Sequence, residues 1–158
     1  MQEISILTPK YSTRIWFSCK ELFINKFNGI ENIDFNTGIS LNDFIKKYEP
    51  DIIFLAQFSL IIKSDLIKNY TKKIVNLHHS PLPKYRGVSP ITHAILNNET
   101  EFASTLHFVD EQVDTGEIIS QRFFSIIDKT NEDVYSECIK KDDELIENFY
   151  KDIFYNMV

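Results

Sequence analysis

Two short stretches hold residues able to move a proton or steady a charge. The first is NLHHSPLPKYRG, residues 76–87, where adjacent histidines follow strand-like residues and precede two prolines. Asn76 and His78 stand two apart, so on an extended chain they project to one side while Leu77 and His79 project to the other. That parity pairs Asn76 with His78: a carboxamide able to donate to developing negative charge beside an imidazole able to take a proton. Spacing alone leaves open that both histidines merely satisfy backbone groups in a turn. The second stretch, HFVDEQVDTGE at 107–117, brings Asp110, Glu111 and Asp114 into one loop. One of these carboxylates could orient and polarise an imidazole; equally, the loop reads as a solvated hairpin turning at Asp114-Thr115-Gly116.

Other chemistries lack their residues. No HExxH or CxxC spacing occurs, and His78 and His79 point apart, so no metal site is expected. The four glycines, Gly29, Gly38, Gly87 and Gly116, form neither a GxGxxG nor a Walker pattern. Ser80 is followed by proline rather than framed by glycines, which removes the nucleophile elbow of a serine hydrolase.

The elements that must position these groups alternate. Ile4–Leu7 reads as a short buried strand, 14–27 as a helix, 33–35 as a weak strand, and Ser40 as the cap of a helix containing Leu41, Phe44 and Ile45 that stops before Pro50. DIIFLAQF, 51–58, is an uninterrupted apolar run typical of a strand buried on both faces, and KIVNL, 73–77, is a second, with a crossover helix at 63–70 between them. Strand, helix, strand at this spacing predicts an α/β layer architecture with a mostly parallel sheet flanked by helices. Ligands in such sheets bind at the carboxyl ends of the strands, and KIVNL ends on the Asn76 and His78 pair. Beyond it, 89–97 reads as a helix with Pro90 in its first turn, 103–110 and 117–127 as strands, and 128–157 as a helix opened by Thr130 and Asp133. Four charges at 140–143 predict a bend in that last helix.

At 158 residues, with 43% hydrophobic and 25% charged residues, the chain is expected to form one soluble domain, residues 1–158. Its net charge of -6 gives no footprint for nucleic acid or membrane surfaces as partners. No transmembrane span or leader is read from the sequence, and the expected setting is cytoplasmic. Cys19 and Cys138 suit two buried reduced thiols rather than a disulfide framework. The aromatic content of 13% serves a core or an interface equally, which leaves a homodimer open.

In their order and separation, DIIFLAQFSLII, NLHHSPLPKYRGVSPITHAI and TLHFVDEQVDTGEIISQ resemble the formyltransferases that use N10-formyltetrahydrofolate. The similarity spans about 51–121 and rests on Asn-x-His followed by Ser-x-x-Pro and a later D-x-G turn: here Asn76, His78, Ser80, Pro83, Asp114 and Gly116. The resemblance implies a Rossmann-like formyltransferase core and formyl transfer to a primary amine without metal or covalent nucleophile. It implies that Asn76 donates to the oxyanion, that His78 takes the amine proton, and that Asp114 orients the imidazole and an ordered water. Leu60, Ile61 and Ile62 would hold the folate pterin together with Phe108, Val109, Asp110 and Asp114, and Ser80, Tyr85 and Arg86 would meet the acceptor. HFVDEQVDTGEIISQ and YRGVSP look closest to members that formylate nucleotide-linked amino sugars, which makes that sugar and folate the expected small-molecule partners. Transfer to glycinamide ribonucleotide, simple hydrolysis of the donor, and a non-catalytic folate-binding module are the alternatives. The sequence departs from the family pattern at 8–16, which lacks the usual glycine, at Pro81 and at Gln112. The N-terminal half looks shortened, and no C-terminal accessory domain is read.

Overall fold

The computed structural model describes residues 4–7, 52–56, 62–69 and 74–156. The expected elements at 14–27, 33–35 and after Ser40 lie outside these residues, as do Cys19, the 8–16 segment, Leu60 and Ile61. Where the chain is described, the apolar runs become strands: β1 (Ile4–Leu7), β2 (Ile52–Ala56) and, after helix α1 (Ser64–Asn69), β3 (Ile74–His78). Helix α2 (Pro90–Leu96) follows, then β4 (Glu101–Phe108), β5 (Ile118–Ser125) and the long α3 (Asn131–Asn156). Pro90 opens α2 because a first-turn N–H has no helical partner to lose. Thr130 and Asp133 bond each other's backbone N–H reciprocally at 3.2 and 2.9 Å and so start α3, as their spacing predicts.

The five strands lie side by side in the order β1-β2-β3-β4-β5. The Rossmann-like α/β core is observed, and its sheet is mixed where the sequence suggests a mostly parallel one: β1, β2 and β3 are parallel, whereas β4 and β5 each run antiparallel to the strand before. The return from β3 to β4 passes through α2, and an apolar pattern reads the same whether such a connection ends parallel or antiparallel. β4 sets Asn76 opposite His107 and His78 opposite Thr105. Between Leu106 and His107 the β4–β5 ladder carries a bulge that skips Ile119.

β4 is buried continuously from Phe102 to His107, and α3 packs against it, with Val134, Cys138, Leu145 and Ile146 of the helix buried. Phe102 meets Phe124 edge-on at 6.2 Å in a cluster with Ile91, Ala94 and Ile126; burying a phenylalanine side chain contributes about 1.5–3 kcal/mol. Burial, helped by the nearby charges of Asp142 and Glu137, pushes the free Cys138 thiol well above its usual range.

The charges at 140–143 do not interrupt α3, which runs on as one helix. Asp142 faces inward and is 0% exposed, its carboxylate accepting from His79 Nε2 at 2.6 Å and from the Ser104 hydroxyl. The second histidine of the pair therefore ties the end of β3 to α3. Asp142→Ala would leave His79 and Ser104 buried without this acceptor, and breaking such a pair costs about 3–5 kcal/mol. The urea midpoint should drop accordingly; an unchanged midpoint would show that the pair does not hold the helix down.

Candidate active site

Asn76 and His78 project from the same face of β3, as their parity requires, and their alternation with buried Leu77 is visible in the burial pattern. Because β4 runs antiparallel with Asn76 opposite His107, these two side chains also share a face. Asn76 Nδ2 lies 3.2 Å from His107 Nε2. The ring of His107 is oriented from its other nitrogen, since Nδ1 donates to the Phe108 carbonyl at 2.8 Å. Nε2 is then an acceptor in the neutral ring, so the Asn76 carboxamide must present its N–H side. Its Oδ1 is buried with no hydrogen-bond partner, an arrangement that costs about 1–3 kcal/mol. Burial is the main cause that holds His107 below the usual imidazole pKa, opposed by the Phe108 carbonyl and by the charge of Asp114.

The loop after β3 turns back on His78. Tyr85 adopts a left-handed conformation at φ 59°, with Gly87 at 81° and Ser89 at 54°. His78 Nε2 donates to the Tyr85 carbonyl at 3.0 Å. The neutral His78 ring therefore carries its lone pair on Nδ1, and Nδ1 lies 3.6 Å from Asp114 Oδ2. The Tyr85 hydroxyl donates to Glu99 at 2.8 Å and accepts from Asn97 at 3.1 Å, which anchors the loop to the end of α2. The Leu82–Pro83 peptide bond is cis.

The loop between β4 and β5 supplies the carboxylate. Asp114 Oδ2 accepts the Gly87 N–H at 2.8 Å, joining the two loops, while Oδ1 lies 3.7 Å from His107 Nε2. One carboxylate thus stands within ion-pair range of both imidazoles while a backbone N–H holds it in place. Asp110 organises the rest of this loop: its Oδ1 accepts from Gln112 N at 3.1 Å and from the Thr115 hydroxyl at 2.6 Å. Gly116 is packed so closely that a Cβ there would lie 1.8 Å from the Phe108 carbonyl oxygen. Val109 N–H returns to the Ile74 carbonyl at 2.9 Å.

Asn76, His78 and Asp114 are accordingly brought together with His107. Sequence reasoning missed His107, although it opens the HFVD stretch; the signal lay in β3–β4 register, which single-strand patterns do not carry. Other expected positions fall differently. Ser80 is fully buried, and its hydroxyl donates to the Lys84 carbonyl at 2.9 Å, so it shapes the turn rather than meeting an acceptor. Tyr85 acts on the site through its carbonyl, Arg86 is exposed, and Ile62 is half-buried ahead of α1. Phe108 ends β4, and Val109 and Asp110 start the loop that carries Asp114. Among the described residues no group of three or more histidine, cysteine or acidic side chains is arranged to hold a metal ion, and no helix is long and apolar enough to cross a membrane.

A neutral imidazole nitrogen beside a carboxylate, with a carboxamide N–H on the same sheet face, can deprotonate an amine and steady an oxyanion. Known proteins of related sequence or structure carry formyltransferase names. A methionyl-tRNA formyltransferase from Finegoldia magna is 36% identical over 78 residues, 49% of this chain and 25% of that protein. The chain thus spans about a quarter of the length of that curated relative. Among solved structures, an N-formyltransferase from Helicobacter canadensis in complex with folinic acid and dTDP-3-aminofucose is 28% identical with a TM-score of 0.77, covering 99% of this chain and 65% of that one. The phosphoribosylglycinamide formyltransferase of Streptococcus pneumoniae shares the fold, with a TM-score of 0.80 at 20% identity over 98% of this chain and 99% of that one. Residues 37–148 match the family described as formyl transferase, a span that includes β2 through most of α3 and every side chain of the site, and the chain belongs to that family.

Proposed function

We propose that the chain transfers a formyl group from N10-formyltetrahydrofolate to the primary amine of a nucleotide-linked amino sugar. The observation that carries the reading is the convergence of Asn76, His78 and Asp114 on one face of the sheet, with His78 Nδ1 3.6 Å from the carboxylate. The amine nitrogen would attack the formyl carbon as the carbonyl electrons move onto oxygen, and the Asn76 N–H would donate to that oxyanion. Such a donor contributes roughly 3–4 kcal/mol to the transition state. His78 Nδ1 takes the proton lost by the amine, and the resulting imidazolium is steadied by Asp114. Collapse breaks the bond from carbon to N10, the proton passes to N10, and tetrahydrofolate and the formamide leave. The likeness to the Helicobacter canadensis enzyme over nearly the whole of this chain supports the sugar as acceptor.

The test is tetrahydrofolate release from N10-formyltetrahydrofolate, measured with a dTDP-linked amino sugar, with glycinamide ribonucleotide, and with no amine. Release that requires the sugar is the expected result. Release only with glycinamide ribonucleotide would move the acceptor to the purine-type substrate, and release without amine would make the chain a hydrolase. Folate binding with no release under any condition would reduce it to a binding module.

A further inference from the structure

Asn76 can serve an oxyanion only if its carboxamide faces the right way, and a carboxamide has two orientations of nearly equal shape. Three observations bear on which is held. His107 sits directly across the β3–β4 ladder from Asn76, with 3.2 Å between Nε2 and Nδ2. His107 Nδ1 donates to the carbonyl of Phe108, so the opposite nitrogen carries the lone pair. Asn76 Oδ1 has no partner, which means that its orientation is not selected from the oxygen end. If the amide were reversed, Oδ1 would meet the His107 lone pair at the same distance, acceptor against acceptor.

We propose that His107 is a positioning residue that locks the Asn76 carboxamide with Nδ2 as its working end, and that protonating His107 at Nε2 releases the lock. The inference rests on the formyl-transfer reading for its use of Asn76. One N–H of Nδ2 is engaged by His107, which leaves the other to donate to the oxyanion. A proton on Nε2 would turn the acceptor into a donor and favour the reversed amide, presenting an oxygen where the reaction develops negative charge. The groups facing the ring are Asp114, with Oδ1 3.7 Å from Nε2, His78, Asp110 and the Phe108 carbonyl. Burial, the largest influence, disfavours the protonated ring, as does His78, while the Phe108 carbonyl, Asp114 and Asp110 favour it.

Two measurements separate the lock from the reaction. In the wild-type chain with ¹⁵N-labelled histidine, ring spectra near neutral pH should show His107 protonated at Nδ1 and bare at Nε2; a ring protonated at Nε2 overturns the inference whatever the turnover. The second is the pH profile of kcat with the best acceptor found. Wild type should lose activity on the acid side as Nε2 of His107 takes a proton. His107→Gln, whose carbonyl can still accept from Asn76, should keep kcat within about tenfold and show an acid limb less steep by about one, whereas His107→Phe should lose about a hundredfold with KM for the folate little changed. A His107→Gln profile with the same acid limb as wild type, or His107→Phe as active as His107→Gln, overturns the positioning role. The Nδ1–H tautomer with no turnover on any acceptor supports the lock and counts against the formyl-transfer reading alone.

Discussion

His78→Ala should lower kcat for formyl transfer by about a hundred- to ten-thousand-fold, the range for removing a positioned general base. The folded state should survive, because the half-buried ring contributes one hydrogen bond, to the Tyr85 carbonyl, and a single such bond is worth about 1 kcal/mol net. Thermal unfolding would therefore shift by only a few degrees, roughly 2–4 °C per kcal/mol at this chain length. On the proposed reading the base is His78 rather than its neighbour, because His79 points to the opposite face and is held by the buried Asp142. Steady-state kinetics of His78→Ala and His79→Ala decide this. A His78→Ala protein with more than a tenth of wild-type kcat would remove His78 from the proton transfer.

Gly116→Ala should be the most damaging single-methyl change in the described structure. The added Cβ would lie 1.8 Å from the Phe108 carbonyl oxygen and 2.7 Å from its carbon, both backbone atoms that cannot rotate away. That oxygen is the acceptor that orients His107, and the Phe108 N–H is bonded to the Glu117 carbonyl at 2.9 Å, so relief of the clash displaces His107, Asp114 and the start of β5 together. Overpacking of this kind costs about 1–3 kcal/mol and more where backbone must move. Gly87→Ala is the control. A Cβ there meets nothing within 4 Å, and the cost is the left-handed backbone alone, about 1–2 kcal/mol. Chemical denaturation and turnover of the two variants should rank Gly116→Ala as the worse on both measures; comparable behaviour would mean that the β4–β5 loop is more yielding than its packing implies.

Much of the fold was legible because its signals are local. An unbroken apolar run marks β2, the Thr130 and Asp133 spacing marks the start of α3, and period-two alternation separates His78 from His79. What escaped depends on partners distant in sequence. His107 gains its meaning only when β4 returns antiparallel and sets it against Asn76, 31 residues away. Asp142 reads as one of four solvated charges until His79, 63 residues earlier, arrives beside it. Ser80 and Tyr85 carry hydroxyls that invite a binding role, yet the Ser80 hydroxyl is turned onto Lys84 and Tyr85 contributes its carbonyl. Residue type states what a group can do, while the backbone decides which of its atoms is available.

The bulge between Leu106 and His107 has a mechanical side. Residues 109–117 join β4 to β5, and beside this loop two residues of one strand stand against one of the other. Here the surplus residue, Ile119, lies on β5, so the ladder between β3 and β4 keeps its count from Val75 through His78. β5 works as an expansion joint: the extra residue is taken up on the side of β4 away from Asn76, and the pair that meets across β3 and β4 keeps its register.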